Sequence, residues 1–591
     1  MVRARKMVHP LDSTRSAGKI VYITRKAPRM KVLLALLPFL LLGCRDTPAV
    51  DYAAQKEATY ATAAVAGPHP LATRVATDVL RRGGNAIDAA VAMQFAMAVV
   101  FPRAGNIGGG GFLVYRGADG ERLALDYRER APAAASRDMY LDSLQNVVEG
   151  LSTRGHLAVG VPGTVAGIAA MHERLGSLPW AELVAPAIAY ARDGYRLSES
   201  EVERIKRYHA DFVELNTSTP FSDSTLGAGA QVKQPELATS LARIQSAGAP
   251  GFYRGETAEL IVAEMQRGGG LITLEDLAVY APTWREPVAQ EYGEYTVLSM
   301  PPSSSGGVAL AQMLAMVEPY PLDSFGFQRL RSVQVIAEAM RRAYADRAEY
   351  LGDADYYPVP VDSLLATEYL GRRMGDFRWD SASTSRQIAA GEVAMKETFE
   401  TTHLSIVDSL GNAVSITTTL NGNFGSKVMV DGGGFFLNNE MDDFSAKPGV
   451  PNMFGLVGKE ANAIQPGKRM LSSMTPTIVE RDGQLFLVLG APGGSTIITA
   501  VLQTFLNVAE YGMPLAEAVA APRFHHQWLP DEILYEADGL RNGVRDSLRA
   551  LGYTLREVNS MAVIKAVQVL PDGTLRAAAD PRNPDDDVEG Y

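Results

Sequence analysis

The chain has 591 residues, a formal net charge of −11, and an apolar fraction of 47%. This is the composition of an ordinary globular protein, and the length suffices for one large hydrophobic core or several smaller ones. The acidic balance argues against a nucleic-acid partner, because phosphate backbones are bound by basic surfaces.

The N-terminal region contains the single cysteine of the chain, Cys44. Residues 30–44 read MKVLLALLPFLLLGC, a basic start followed by an apolar run too short to span a bilayer comfortably. The pattern resembles a bacterial lipoprotein signal, whose cysteine is lipidated and becomes the mature N-terminus. A plain signal peptide cut nearby is the alternative. We expect 1–43 to be an extension plus signal peptide, with Met30 a second candidate start, and 44–62 to be a tether. The product would be periplasmic or otherwise extracytoplasmic, lipid-anchored at the outer membrane.

The next elements are indicated by hydrophobic periodicity. Residues 71–100 have helical spacing interrupted by two glycines, which predicts two helices, the second buried. A glycine turn at 108–111 leads into a strand, and 122–128 alternates as another strand. The pattern from about 160 to 400 is mainly helical. Its last part, 377–400, is polar and weakly patterned, which is typical of a flexible, cleavable segment.

A β-hairpin is predicted where this polar segment ends. Residues 403–408 and 412–421 both read as strands, and the three residues between them end in glycine, a standard hairpin connection. In that register the numbers of paired residues sum to about 820. Thr401 therefore lies opposite Thr419, with Asn421 just beyond, so one strand end collects two hydroxyl groups and an amide.

Thr401 is a nucleophile only if a base accompanies it, because a threonine hydroxyl is weakly nucleophilic at neutral pH. A threonine that is the first residue of a chain can use its own α-amine as that base. This requires a precursor to be cut between Glu400 and Thr401. The alternative is that Thr401 and Thr402 are ordinary β-formers at a strand start, and the threonines alone favour it.

Seven motifs reverse that preference because they occur together and in order. They are DYRERAP (126–132), TTHLSIVDSLGNAVSITTTLN (401–421), LNNEMDDFS (437–445), KRMLSSMTPTIV (468–479), GAPGGSTIIT (490–499), APRFHHQW (521–528) and DPR (580–582). This set closely resembles the γ-glutamyltransferase family, also called glutathione hydrolase, of the N-terminal-nucleophile hydrolase class, and the resemblance covers about 64–591. It implies an α+β fold, a four-layer αββα sandwich with two antiparallel sheets between helical layers. It also implies a large subunit, 63–400, and a small subunit, 401–591, intertwined in one domain.

The resemblance assigns a role to each site residue. Thr401 is the nucleophile of both autocleavage and catalysis, and Thr419 orients it. The α-carboxylate of the γ-glutamyl group is bound by Arg128, Ser472 and Ser473. The α-ammonium group is bound by Asn421, Glu440 and Asp443. A guanidinium suits the first task because it meets a carboxylate with two parallel hydrogen bonds.

Gly493 and Gly494 are the candidate oxyanion site. They follow an apolar strand, 485–490, and precede a helical pattern from Ser495, so their backbone N–H groups are free to bind an anion. A phosphate-binding turn is the alternative, but the Gly-Lys-Ser/Thr ending of a nucleotide loop is missing. His525 and His526 are interpreted as structural, because adjacent histidines face different directions.

The expected reaction follows from these roles. Thr401 attacks the γ-amide of glutathione or another γ-glutamyl compound, and water, an amino acid or a dipeptide then accepts the γ-glutamyl group. The large and small subunits associate as a heterodimer. The expected mechanism needs neither a metal nor a cofactor, and membrane contact is expected only through the N-terminal lipid anchor.

Residues 446–467 resemble the lid loop that covers the glutamyl pocket in some bacterial members of the family. In those proteins the lid carries a tyrosine that bonds the pocket asparagine, whereas this sequence has Phe454 at the matching position. We therefore expect a weaker or purely apolar latch to Asn421, and an enzyme that admits more water and is more hydrolytic.

Two rival interpretations remain open on the sequence. A β-lactam acylase of the same superfamily, acting on cephalosporin or glutaryl compounds, shares the chemistry but tolerates an acyl group without an α-amine. A non-catalytic binding lipoprotein that keeps the fold and is never cut is the rival from another class.

Overall fold

The computed structural model of the protein describes residues 52–388 and 401–591. The signal segment, the lipidation candidate Cys44 and the predicted cleavage residue Glu400 lie outside these residues. Within them, no helix has the length and apolarity needed to cross a bilayer.

The α-helices of the described ranges are bounded as follows: α1 Pro70–Arg81, α2 Ala86–Val100, α3 Thr164–Leu175, α4 Trp180–Asp193, α5 Glu199–Leu215, α6 Pro235–Ala247, α7 Pro250–Tyr253, α8 Gly255–Gly268, α9 Leu274–Ala278, α10 Gly306–Val317, α11 Leu322–Phe325, α12 Leu330–Tyr350, α13 Val361–Leu365, α14 Thr367–Arg373, α15 Ile497–Ala509, α16 Leu515–Ala520 and α17 Asn542–Ala550.

The β-strands are bounded as follows: β1 Glu57–Tyr60, β2 Ala64–Gly67, β3 Gly110–Arg116, β4 Arg122–Asp126, β5 Tyr195–Arg196, β6 Gln231–Val232, β7 Thr283–Arg285, β8 Val288–Tyr292, β9 Tyr295–Ser299, β10 Thr402–Val407, β11 Ala413–Thr419, β12 Thr477–Arg481, β13 Gln484–Gly490, β14 Phe524–His525, β15 Ile533–Glu536, β16 Leu555–Val558, β17 Lys565–Val569, β18 Leu575–Ala579 and β19 Asp587–Gly590.

Two seven-stranded sheets form the centre of the fold. Sheet 1 has the order β1-β18-β17-β13-β12-β9-β8, and sheet 2 the order β19-β2-β10-β11-β3-β4-β7. Neighbouring strands in both sheets are antiparallel. An apolar cluster that includes Val114, Val407 and Val488 fills the space between the sheets. The sheets are therefore stacked, as two layers joined by a buried apolar interface.

Helices cover the outer face of each sheet. α1, α2 and α3 contact sheet 2, and α10, α15 and α16 contact sheet 1. A separate apolar cluster fills each of these helix–sheet interfaces. The predicted four-layer αββα sandwich is confirmed. Helix α2 illustrates the packing, because it is largely apolar on every side and all of its residues are buried.

Most of the predicted elements are found close to their expected bounds. The interrupted helical stretch becomes α1 and α2, separated by a short glycine-containing turn, and the glycine turn at 108–111 leads into β3. One segment differs from the prediction. Residues 57–60, expected within the tether, form β1, which pairs with β18 at the edge of sheet 1. A short polar strand at a sheet edge has no buried face to give it a strong sequence signature.

Both sheets combine strands from before and after Thr401. β10 and β11 lie between β2 and β3 in sheet 2, while β1, β8 and β9 flank the later strands of sheet 1. The parts of the chain on either side of the predicted cut therefore share both sheets and each of the apolar layers.

Candidate active site

The β10–β11 hairpin brings the predicted nucleophile to the middle of sheet 2. Thr402 pairs with Thr418 and Val407 with Ala413, so the predicted sum of 820 is confirmed. Continuing the register by one residue places Thr401 opposite Thr419. The Thr419 hydroxyl oxygen accepts a hydrogen bond from the Asn421 amide at 2.7 Å. That bond directs the hydroxyl proton of Thr419 away from the amide, which makes it a donor to a neighbouring oxygen.

A small cavity, partly open to solvent, adjoins Thr401 and contains about 270 Å³ of empty space. We call it the glutamyl cavity. Nine of the predicted site residues line it together: Arg128, Thr401, Thr419, Asn421, Glu440, Asp443, Ser472, Ser473 and Gly494. These residues come from the end of β4, from the hairpin, and from three later loops, so only the tertiary fold brings them together.

A buried ionic cluster occupies one end of this cavity. The Arg128 guanidinium forms ion pairs with both Glu440 and Asp443. Glu129 lies beside them, with its Oε2 3.7 Å from Arg128 Nη1. Burial raises the pKa of Glu440 well above its usual range, although Arg128 opposes the shift. Burial also raises the pKa of Asp443, and that of Glu129 to about 8.

The cluster leaves acceptor capacity unused. Glu440 Oε2 is buried and accepts no hydrogen bond from any residue that the structure describes. A buried carboxylate oxygen without a donor is costly, and a bound ammonium group would supply three donors. Glu440 therefore has the position and the free acceptor required at the predicted ammonium end.

Two serines line the cavity near Arg128, and both are oriented as donors. Ser472 Oγ accepts a bond from the Met474 amide at 3.1 Å, and Ser473 Oγ accepts one from Arg347 Nη2 at 3.2 Å. Each hydroxyl oxygen already receives an N–H group, so each hydroxyl proton is free to point toward an anion. Two hydroxyl donors and a guanidinium are the groups that a carboxylate needs.

Arg347 is a residue that the sequence reasoning missed. It lies on the buried face of α12, donates from Nε to Ser305 Oγ at 2.9 Å, and forms no ion pair with any described carboxylate. Burial lowers its pKa, whereas Asp443 raises it. The available signal was an arginine with Ala343 and Tyr344 one helical turn before it, but nothing in the sequence specified which loop that helix face would contact.

The glycine turn is built around two residues with left-handed backbone. Gly493 has φ 145° and Gly494 has φ 53°. A Cβ atom on Gly493 would lie 2.5 Å from Ala562 Cβ, and one on Gly494 would lie 2.6 Å from Phe454 Cδ1. Neither backbone N–H donates to another group in the described part of the chain. Only glycine fits at either position, and both N–H groups remain available to an oxyanion.

The lid segment closes the glutamyl cavity through a different residue from the one expected. Phe454 is buried against Gly494, while its neighbour Met453 places Sδ 3.8 Å from Asn421 Nδ2. Asp442 holds the lid by accepting the Met453 amide at 2.9 Å. The lid contact with Asn421 is therefore made by a thioether, a weak acceptor, in agreement with the expected weak latch.

A second and wider cavity, with about 870 Å³ of empty space including its solvent-open mouth, adjoins Thr401 on another side. We call it the basic cavity. Gly493 lines it, and so do five basic side chains: Arg103, Arg204, Arg207, Lys565 and Arg582. Among the described residues no carboxylate lines it. The sequence reasoning did not anticipate this cavity, because its basic residues are far apart in the chain and belong to no shared motif.

Histidines are not available as the base. Among the residues that the structure describes, none of those lining either cavity is a histidine. His525 and His526 are buried with different partners, Thr499 and Trp528, and burial lowers the pKa of each, to about 3 and about 4. Within residues 52–388 and 401–591 no group of three or more potential ligands could hold a metal ion.

Comparison with known proteins gives a consistent result. A family model described as gamma-glutamyltranspeptidase matches residues 72–589. The glutathione hydrolase proenzyme of Pseudomonas aeruginosa is 48% identical over 534 residues, covering 89% of this chain and 94% of that protein. That of Escherichia coli (strain K12) is 44% identical over 552 residues, covering 92% and 95%.

The same fold is also found in a solved structure that is described as an acylase. A cephalosporin acylase from Bacillus halodurans superposes with a TM-score of 0.80 at 26% identity, covering 93% of this chain and 99% of that one. The match of the family model over most of the chain, and the two relatives above 40% identity, decide the assignment. The chain belongs to the γ-glutamyltranspeptidase family.

Proposed function

We propose that this protein is a γ-glutamyltransferase and glutathione hydrolase, made as a precursor that cuts itself between Glu400 and Thr401. The observation that carries the proposal is the glutamyl cavity itself. It joins a strand-end threonine, a guanidinium with two serine donors, and a buried carboxylate oxygen that accepts no hydrogen bond from any described residue. A γ-glutamyl group has the matching set of a reactive carbonyl, a carboxylate and an ammonium group.

Autocleavage is the first step. The Thr401 hydroxyl attacks the carbonyl carbon of Glu400, and the peptide bond to the Thr401 nitrogen breaks, leaving an ester on the Thr401 oxygen. Water then hydrolyses the ester. The products are a carboxylate at Glu400 and a free α-amine on Thr401, and that amine is the base for later turnovers.

Catalysis repeats this attack on the substrate. Arg128, Ser472 and Ser473 bind the α-carboxylate, while Glu440, Asp443 and Asn421 bind the α-ammonium group and so place the γ-carbonyl at Thr401. The Thr419 hydroxyl donates to the Thr401 oxygen and fixes its orientation. The N–H groups of Gly493 and Gly494 stabilise the oxyanion, an effect commonly worth about 2.7–4 kcal/mol per donor. The leaving amine takes the proton held by the α-amine, and water or an acceptor amine then releases the γ-glutamyl group.

An acylase activity on substrates without an α-amine is the second candidate, supported by the structural match to a cephalosporin acylase. The buried Oε2 of Glu440 argues against it, because a glutaryl group has no ammonium group to donate to that oxygen. Hydrolysis of γ-glutamyl-p-nitroanilide should therefore be about 10²-fold faster than that of glutaryl-p-nitroanilide. Equal rates would favour the acylase.

The location of the protein is a further part of the proposal. The apolar run that ends at Cys44 supports export and lipidation, with the folded part held outside the cytoplasm by that anchor. Mass spectrometry of the N-terminal peptide of the mature protein tests it, since a diacylglyceryl-modified Cys44 is expected and an unmodified one would count against lipidation.

The deciding experiment concerns Thr401. Denaturing electrophoresis and intact mass should find two fragments that meet at Glu400 and Thr401. A Thr401→Ala variant should remain one chain and lose about 10⁴-fold or more of γ-glutamyl-p-nitroanilide hydrolysis, because nucleophile and base are both lost. Thr401→Ser, which keeps a hydroxyl, should still be cut. A single uncut wild-type chain without activity would favour the binding lipoprotein instead.

A further inference from the structure

We propose that Arg204 and Arg207 of α5 bind a carboxylate on the amine side of the γ-glutamyl amide, so that the basic cavity is a subsite for acidic leaving groups and acceptors. The inference rests on the proposed function, and it names the chemical class that the second half of the active site recognises.

The position of the basic cavity supports this assignment. The two cavities meet at Thr401, which lines both. The glutamyl cavity is small and matches the acyl half of the substrate. The amine half must therefore extend from Thr401 in another direction, and the basic cavity is the wider space there, lined also by Gly493 of the oxyanion turn.

Two of the five cations in this cavity are already neutralised. Lys565 forms an ion pair with Asp586 at 2.8 Å, and Arg582 forms ion pairs with Glu536 and Asp580 at 2.6 and 2.9 Å. These pairs are internal to the fold. They add little to the positive potential that a ligand in the cavity would experience, because each cation has its counter-ion within contact distance.

Arg204 and Arg207 differ from those two residues. Neither forms an ion pair with any residue in the described ranges, and Arg204 Nε is buried without a hydrogen-bond partner there. They are three residues apart on α5, so they lie on the same helix face. Arg103, stacked on the Phe101 ring at 4.2 Å, adds positive potential at the same wall.

The chemistry of these groups defines the ligand. Two guanidinium groups on one face suit a carboxylate, which each can bind through two N–H groups. Amines that carry a carboxylate include amino acids and the C-terminal end of a peptide such as the cysteinylglycine part of glutathione. Neutral aromatic amines lack that group. The subsite should therefore favour donors and acceptors with a free carboxylate.

The test compares two donors that differ only in that charge: glutathione and its glycyl ethyl ester. With the mature, cleaved enzyme, kcat/KM for glutathione should exceed that for the ester by about 10-fold. An Arg204→Gln/Arg207→Gln double variant should bring the ratio close to one by raising KM for glutathione. Lys206→Gln removes the same charge from an exposed position on α5 that does not line the cavity, and it should leave the ratio unchanged.

Hydrolysis of γ-glutamyl-p-nitroanilide is the internal reference, because its leaving group is neutral. Its rate should stay within about 2-fold in the double variant, since the glutamyl cavity is untouched. A ratio near one in the wild type, or a ratio that the variant does not change, would overturn the subsite. Arg207→Gln alone, at an exposed position, serves if the double variant does not mature. Wild-type enzyme that fails to hydrolyse the p-nitroanilide would contradict the proposed function itself.

Discussion

The two cavities that meet at Thr401 differ in size and in charge balance. The glutamyl cavity is small, and its cation, Arg128, is paired with two carboxylates before any substrate arrives. The basic cavity is wide, and it contains two arginines without a counter-ion among the described residues. The glutamyl cavity thus contains charges of both signs in direct contact, and the basic cavity has an excess of positive charge.

The difference corresponds to the two halves of the proposed substrate. The γ-glutamyl half is the same in every donor and is a zwitterion. Its carboxylate and its ammonium group can each take a partner from the internal ion pairs, and the total charge of the cavity then stays constant. The amine half varies between donors and acceptors, and a wide cavity with excess positive charge selects only a shared feature, the carboxylate. We therefore expect substrate specificity to be strict on one side of Thr401 and broad on the other.

Removing the cation of the glutamyl cavity should have the largest effect. Arg128→Gln leaves Glu440 and Asp443 buried without their cation and removes the proposed bidentate contact to the substrate carboxylate. We expect kcat/KM for γ-glutamyl-p-nitroanilide to fall about 10³-fold. Arg128→Lys keeps the charge but not the geometry and should lose less, about 10²-fold. An unchanged KM in the Gln variant would show that the substrate does not contact this ionic cluster.

The oxyanion turn lies where the cavities meet, so a change there should affect all donors equally. Gly494→Ala would force a Cβ atom against Phe454 at a backbone angle of φ 53°. We expect kcat to fall about 10²-fold for glutathione and for its ester. Gly512→Ala is the matched control, because φ is 61° there and nothing lies within 4 Å of the added atom. A similar loss in both variants would attribute the effect to backbone strain alone.

Arg347 allows a finer test of the carboxylate end. Arg347→Gln removes the N–H group that orients Ser473. We expect KM for γ-glutamyl-p-nitroanilide to rise about 10-fold with kcat nearly unchanged, because a hydroxyl donor to the carboxylate is misdirected. Arg347→Lys should restore part of the affinity. A purely structural role predicts instead a loss of kcat and of folded protein together, with no recovery in the Lys variant.

Glu129 should have the smallest effect, and one that depends on pH. Its pKa is raised from 4.5 to about 8 in the folded protein, so the folded state binds more protons than the unfolded state between those values. The free energy of unfolding should therefore fall as pH rises through this window. Glu129→Gln should match the wild-type Tm at pH 5 and exceed it by about 1–3 °C at pH 9. Parallel Tm curves from pH 5 to 9 would exclude this account.

The sequence predicts the hairpin and the glycine turn well, because both depend on local rules. Loop length and strand periodicity set the register of β10 and β11, which places Thr401 by Thr419. The ionic cluster could not be derived in the same way. Arg128 and Glu440 are separated by 312 residues in the chain, and only the family resemblance suggested that they belong to one site.

Three features were beyond the sequence for a physical reason. Arg347 contacts Ser473 because of the way α12 is oriented in the fold. Met453 rather than Phe454 contacts Asn421 because of the path that the lid follows. The basic cavity forms because α5 packs near Thr401. Each of these is a matter of tertiary packing between distant segments. Periodicity specifies that a residue is buried, but not what it contacts.

The combination of early and late strands in both sheets has a consequence for the stability of the cut protein. β10 is hydrogen-bonded to β2 on one side and to β11 on the other, so the two fragments share a single hydrogen-bond network. Specific activity should then be insensitive to dilution. Once unfolded, however, the two fragments must find each other again by collision, whereas the precursor folded as one chain. Cleavage thus converts a unimolecular folding reaction into a bimolecular one. We therefore expect the mature enzyme to depend on a slow unfolding rate rather than on its ability to refold.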